Sequence, residues 1–299
     1  MSCDLCPRRG GALRTEERGL GRCRMPELPV LARAALHRWE EPPISGTRGS
    51  GTIFFSGCSL GCVFCQNEEI SHRDFGKAVT LERLARICGE LVDQGAHNLN
   101  FVNPTHYAHV VGRLLEEHPQ PVPVVWNSGG YDRVDTLRAL EGKSQIYLPD
   151  LKYLDSDAAG RYSGASDYPQ TAQAAIREMV RQTGPCAFDG DGLLTRGVVI
   201  RHLILPGQVS QAKAVMDWVA AEFGPGTVLF SLMSQYTPWG RSAEFPEIHR
   251  RLRAGEMRAA AEYMANLGLE GFTQERTSAQ REYTPPFDLT GVAGEGGAL

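Results

Sequence analysis

The sequence predicts an α/β fold whose strands are buried on both faces. Two observations carry that prediction. Short runs rich in Val, Ile and Phe recur from Gly51 onward, and stretches of helical periodicity separate them by distances long enough for parallel crossovers. With 299 residues the chain can fill one large core, so one main domain is expected.

In chain order the predicted strands are GTIFF (51–55), NLNFV (98–102), VPVVW (122–126), QIYL (145–148), GVVIRHLIL (197–205) and TVLFSLM (227–233). Between the first two, Thr80 is a fitting N-cap for a helix whose Leu81, Leu84, Ile87, Cys88, Leu91 and Val92 share one face. Ala172, Ile176, Met179 and Val180 repeat the pattern, as do Ala212, Val215, Met216 and Val219. Periodicity alone leaves a doubly wound sheet and a partial barrel both open. Either would gather active residues at the carboxyl ends of the strands.

Residues 1–48 lie outside this alternation and read as an extension, with one helix predicted over VLARAALHRWEE (30–41) between prolines. The core spans 49–275. Residues 276–299, ending in TPPFDLTGVAGEGGAL, are rich in Gly and Pro with little to bury, which predicts a mobile tail.

Composition is that of an ordinary globular protein, 42% hydrophobic and 22% charged with net charge −4. The first 48 residues carry nine Arg against six acidic residues, too small a surplus to indicate nucleic acid. The opening residues offer no apolar run long enough for a signal peptide, and no later segment is apolar enough to cross a bilayer. A cytoplasmic protein is expected. There, eight cysteines are poor candidates for a disulfide framework; clustered ones suggest metal, and Cys88 and Cys186, which stand apart, suggest packing.

The cluster is CSLGCVFC, where Cys58, Cys62 and Cys65 follow the first strand directly. Gly57 and Gly61 let the backbone curl so that three sulfurs converge. A closed zinc site or an electron-carrying cubane commonly takes four protein ligands, so three imply an open coordination position. A zinc site completed by a distant fourth ligand is the plainer alternative.

This loop resembles the signature of the radical S-adenosylmethionine (radical SAM) superfamily. FVNPTHY, LPDLKY, IRHLILPG and MSQYTP extend the resemblance to the branch related to pyruvate formate-lyase activating enzyme, over most of residues 1–275. The resemblance implies a partial (β/α)6 TIM-type barrel. It also implies a 4Fe-4S cluster on Cys58, Cys62 and Cys65, whose fourth iron binds S-adenosylmethionine (SAM). Reductive cleavage of SAM would then give a 5′-deoxyadenosyl radical.

Several further residues acquire roles by the same resemblance. Phe64 takes the aromatic position beside the adenine, and Asp150 and Lys152 contact SAM, Lys152 through its carboxylate. Asp150 and Lys152 are two apart on a strand and share a face, with a structural ion pair as the alternative. Where the wider superfamily often has Gly-Gly-Glu, this chain has Asn103-Pro104-Thr105-His106, leaving backbone carbonyls and the Thr105 hydroxyl to receive the SAM amino group. Asn127 and Ser128 are candidates for the ribose, with an ordinary glycine turn as the alternative. Arg201 and His202 point to opposite faces of one strand, and His202 is expected to look into the barrel.

Cys3, Cys6 and Cys23 allow a second metal centre, although Gly10 stands where the related branch tends to carry another Cys. The nearest named activity is activation of a glycyl radical enzyme, with a flavodoxin or ferredoxin as electron donor. Radical modification of another peptide or small molecule is the alternative within the class. A non-catalytic iron-sulfur or zinc protein is the alternative outside it, and the absent fourth Cys argues against that one.

Overall fold

The structure, a computed structural model, describes residues 2–273 and 285–293. Its main sheet contains β1 (Val30–His37), β2 (Ser50–Phe55), β3 (Leu99–Val102), β4 (Val124–Ser128), β5 (Ile146–Pro149), β6 (Leu194–Leu203), β7 (Val228–Met233) and β8 (Gly271–Thr273). These lie side by side in sequence order, β2 to β8 all parallel and β1 antiparallel to β2. A doubly wound sheet reverses its strand order at a switch point. Here the order never reverses, so the winding is that of a barrel, and the choice left open by periodicity is settled. The six predicted strands are present, and β8 adds a seventh parallel one.

The longer helices between strands are α1 (Leu81–Asp93), α2 (Ala108–Glu117), α3 (Ser156–Ser163), α4 (Tyr168–Thr183), α5 (Val209–Glu222) and α6 (Ala254–Leu267). Thr80 caps α1 as predicted, its hydroxyl accepting from the Arg83 N–H at 3.2 Å. Trp126, Val198, Ile200 and Phe230 meet Ile87, Ile176 and Val215 in one core on the convex, helix-covered face. Their alternating neighbours Val125, Ile146, Leu148, Val199 and Leu229 meet Ile44 on the concave face. Each such buried side chain contributes roughly 1.5–3 kcal/mol. Cys88 lies in the first core, as its helical face predicted. Among the described residues, no helix is long and apolar enough to cross a membrane.

Two expectations change. Val30–His37 is a strand, not a helix, despite the helix-favouring Ala, Leu and Arg in it. Pairing with β2 on one side, from Leu31 opposite Phe55 to His37 opposite Ser50, overrides local propensity. Within the segment read as a mobile tail, residues 285–293 lie along the same strand. The Ala34 N–H donates to Thr290 O at 2.8 Å, Arg33 donates to Asp288 at 2.8 Å, and Val292 is 1% exposed. One valine, the aromatic edge of Phe287 on Phe54 and these ladder bonds suffice to dock it. Residues 276–284 and 294–299 of that segment fall outside the described residues.

The extension packs over the mouth of the sheet. Arg8 donates to Ser59 O at 2.9 Å and stacks on Tyr131, Thr136 donates to Leu5 O at 2.8 Å, and Arg14 lies over Tyr107.

Candidate functional site

The loop after β2 is held from three directions. Gly57 has φ +83°, and a side chain there would strike Met25 of the extension. Gly61 serves by close approach instead, because Arg22 lies where its Cβ would be. The loop amides of Gly61 and Val63 donate to Ser163 O and Tyr162 O at the end of α3, at 3.0 and 2.9 Å. From β3, Asn103 sits in the left-handed region (φ +56°) that Asn tolerates. Its amide donates to Gly57 O at 2.6 Å, and its carbonyl accepts from the Cys58 thiol at 3.8 Å.

The three thiols of this loop influence one another and a common cation. Burial pushes Cys58 up to about 12 and Cys65 up to about 11; neighbouring thiols add to the rise, and the Lys152 ammonium opposes it. Cys58 and Cys65 so placed stay protonated until a metal displaces the proton. Cys62 Sγ lies 3.0 Å from Ser163 Oγ. Among the described residues no three His, Cys, Asp or Glu side chains are grouped to hold a single metal ion. Three half-buried thiols on one curled loop fit the donor set of a cubane that keeps one iron free of protein ligands.

Below the loop, a polar network crosses the concave face. Lys152 pairs with Asp150 Oδ2, while Asp150 Oδ1 accepts from Arg201 Nε at 3.0 Å. Arg201 Nη2 donates to Asn127 Oδ1 at 2.7 Å, and its Nη1 reaches Glu40 Oε2 at 3.4 Å. Asn100 donates to Glu40 Oε1 at 3.0 Å. Burial works to raise the Asp150 carboxyl, but Lys152 and Arg201 outweigh it and hold the group below its usual range. Burial likewise opposes the Lys152 charge, and Asp150 restores it.

The expected site residues divide. Cys58, Cys62, Cys65, Asn103, Asp150, Lys152 and Asn127 gather at or below the loop. Phe64 is buried and meets Tyr236 edge to face at 5.9 Å. Thr105 and Ser128 instead donate their hydroxyls to the buried Asp132, at 2.6 and 2.5 Å, which leaves them only lone pairs for a ligand.

The facing of His202 needs correction. It alternates with Arg201 and shares the face of Val198 and Ile200, its Nδ1 2.7 Å from Leu151 O; it lines a cavity with Lys152 and Tyr153, and burial pushes it down to about 4. Arg201 is the residue that looks inward, because side chains alternate along β6. Glu40, Asn100, Ser163 and Tyr168 were not singled out from the sequence. Tyr168 Oη joins Lys152 N, Asp150 O and Gly129 O at 2.9, 2.7 and 3.0 Å, which fixes the backbone under Lys152.

Comparison with known proteins agrees with this geometry. The family model of a 4Fe-4S single cluster domain matches residues 45–173. An uncharacterized protein of Methanocaldococcus jannaschii is 29% identical over 279 residues, 90% of this chain and 76% of its own length. Streptococcus suis SuiB, solved with SAM bound, superposes with a TM-score of 0.52 at 16% identity, covering 76% of this chain. SuiB solved with its precursor peptide SuiA gives a TM-score of 0.50 at 17% identity, covering 75%. The chain spans about half the length of the SuiB structures.

Proposed function

The family match and the shared fold support the radical SAM superfamily, and from that premise we propose an enzyme in which Cys58, Cys62 and Cys65 hold a 4Fe-4S cluster. The observation that carries this is three half-buried thiols on one loop, all within electrostatic reach of Lys152. The bound cluster supplies one electron to SAM, whose cleavage gives methionine and a 5′-deoxyadenosyl radical able to take a hydrogen atom from a substrate. Lys152 offers the SAM carboxylate its ammonium, and Asp150 holds that ammonium in place from the other side. Asn127 stands in β4 with its carbonyl on Arg201 and its amide N–H toward Glu40, and Phe64 with Tyr236 closes an apolar wall beside the loop. Arg8, Arg22 and Met25 of the extension brace the loop from outside. These contacts support reading the residues before β1 as a cap, on a core that begins with β1 itself rather than at residue 49.

For the substrate, the narrower reading is a protein or peptide, a glycyl radical enzyme among them, reduced by a flavodoxin or ferredoxin. The fold shared with a peptide-binding protein supports that class. A second centre at Cys3, Cys6 and Cys23 belongs to the same proposal, since the Cys6 thiol feels both of the others. The test is anaerobic reconstitution, reduction and incubation with SAM. 5′-Deoxyadenosine is expected, and its absence with a spectroscopically intact cluster would overturn the enzyme. Cys62→Ala is expected to abolish it, and retained cleavage would remove the ligand assignment. Iron beyond one cluster per chain, lost in Cys6→Ala, checks the second centre.

A further inference from the structure

Every polar side chain of the NPTHY segment (103–107) that follows β3 is engaged inside the protein. The Asn103 amide donates to Gly57 O at 2.6 Å, the Thr105 hydroxyl to Asp132 at 2.6 Å and the Tyr107 hydroxyl to Leu28 O at 2.9 Å. His106 Nε2 lies 2.7 Å from Ser56 O. Ser56 and Gly57 are the two residues before Cys58, so Asn103 and His106 hold the two consecutive carbonyls at the entrance to the cysteine loop. The ladder between β2 and β3 ends at Phe54 opposite Val102, and these carbonyls lie past its end. On the other side Ser56 N donates to Val30 O and Gly57 N to Ile70 O, at 2.9 and 2.7 Å. Both peptide groups are thereby pinned from two directions.

Packing alone does not account for an imidazole at position 106. The residue is 1% exposed and Ser56 is 0% exposed. A carbonyl only accepts, so the ring carries its hydrogen on Nε2; burial, aided by the Arg14 charge, pushes the group down to about 3 and keeps it neutral. Its Nδ1 is buried without a partner. An apolar side chain would fill the same space and leave no unpaired nitrogen. What the imidazole adds is its bond to Ser56 O.

We propose that His106 is a positioning residue for the cysteine loop: with Asn103 it continues the β2–β3 ladder in side-chain form for two residues and fixes where Cys58 leaves the sheet. The side chains of this segment thus serve the loop rather than a ligand. Asn103 reaches the thiol itself as well, accepting from Cys58 at 3.8 Å. The bearing of His106 on a cluster rests on the reading above that these thiols hold one. Its grip on the loop is a property of the metal-free chain, so the two can be tested apart.

The experiment has two arms. Metal-free protein is treated with iodoacetamide, and modification of Cys58, Cys62 and Cys65 is followed by peptide mass spectrometry; reconstituted protein is given a ferrous chelator, and iron release is timed. His106→Leu is expected to speed both by about tenfold, the effect of one buried hydrogen bond on local opening. His106→Gln keeps an N–H within reach of Ser56 O and should restore most of the protection in both arms. Glu256→Gln, which weakens the fold far from the loop, should leave both rates unchanged. Should His106→Leu not fold, Asn103→Gly decides, because glycine keeps the left-handed backbone and deletes only the amide; faster modification is again expected. Wild-type rates in His106→Leu or in Asn103→Gly, no recovery in His106→Gln, or equal acceleration in Glu256→Gln would overturn the proposal. The thiol result in a chain that takes up no 4Fe-4S cluster would keep the positioning role and overturn the cluster reading instead.

Discussion

Ser163 Oγ stands 3.0 Å from Cys62 Sγ and 3.0 Å from the Tyr153 hydroxyl, so two hydroxyls in series can donate toward one thiol of the loop. With a cluster bound, that donation stabilises the more negative, reduced form. Ser163→Ala is expected to lower the midpoint potential by tens of millivolts, since about 1 kcal/mol corresponds to roughly 40 mV for one electron. Tyr153→Phe should shift it the same way by less. A redox titration followed by electron paramagnetic resonance checks both, and an unchanged potential in Ser163→Ala would remove the donation.

Tyr168→Phe tests how the backbone beneath Lys152 is held. The change deletes the one hydroxyl shared by Lys152 N, Asp150 O and Gly129 O, all in buried surroundings. A loss of about 1–3 kcal/mol is expected, because backbone groups are left without a partner rather than released to water. SAM should also bind severalfold more weakly if Lys152 receives its carboxylate. Thermal unfolding and a SAM titration measure the two effects separately.

How far the sequence could be read depends on how near the residues lie in the chain. The cysteine loop was legible because Cys58, Cys62 and Cys65 are close neighbours after an apolar strand. The concave network was not, because Glu40, Asn100, Asn127 and Arg201 come from four separate segments that only the sheet order brings together. The choice between Arg201 and His202 failed for a different reason. Val198 and Val199 are both fully buried, one on each face, so β6 shows no polar alternation from which to read its phase. Val30–His37 misled because helix-favouring residues fill a strand whose stability comes from its neighbours.

Glu256 yields a pH-dependent prediction away from the site. Its carboxylate accepts from Arg250 at 2.7 and 2.8 Å, from Gly207 N at 2.7 Å and from Arg253 N at 2.8 Å, at the start of α6. Arg250 is the main reason that it is held down to about 2. A depressed carboxylate stabilises the fold above its unfolded value near 4.3, and that stability is lost as pH falls toward about 2. Glu256→Gln should therefore cost on the order of 2 kcal/mol at neutral pH and progressively less in acid. Unfolding curves of both proteins across that range check it, and a pH-independent difference would refute the linkage.

Arg201 is the sharpest test of the concave network, because its fork meets three acceptors at once: Asp150, Asn127 and Glu40. Burial works against its charge, yet Asp150, Glu41 and Glu40 together keep it firmly cationic. Arg201→Lys preserves the charge but has one ammonium on a flexible stem, which cannot reproduce a planar fork. At least one acceptor is then left unpaired, and a loss of about 1–3 kcal/mol is expected. Arg201→Met removes the charge as well, setting Asp150, Glu40 and Glu41 against only Lys152, and should cost about 3–5 kcal/mol near neutral pH. The two variants separate geometry from charge in acid. Protonating the carboxylates removes the repulsion that Arg201→Met exposes, so its deficit should shrink as pH falls. Denaturant unfolding of both variants across the acid range measures the difference, and parallel pH dependences would show that the guanidinium serves only as packing.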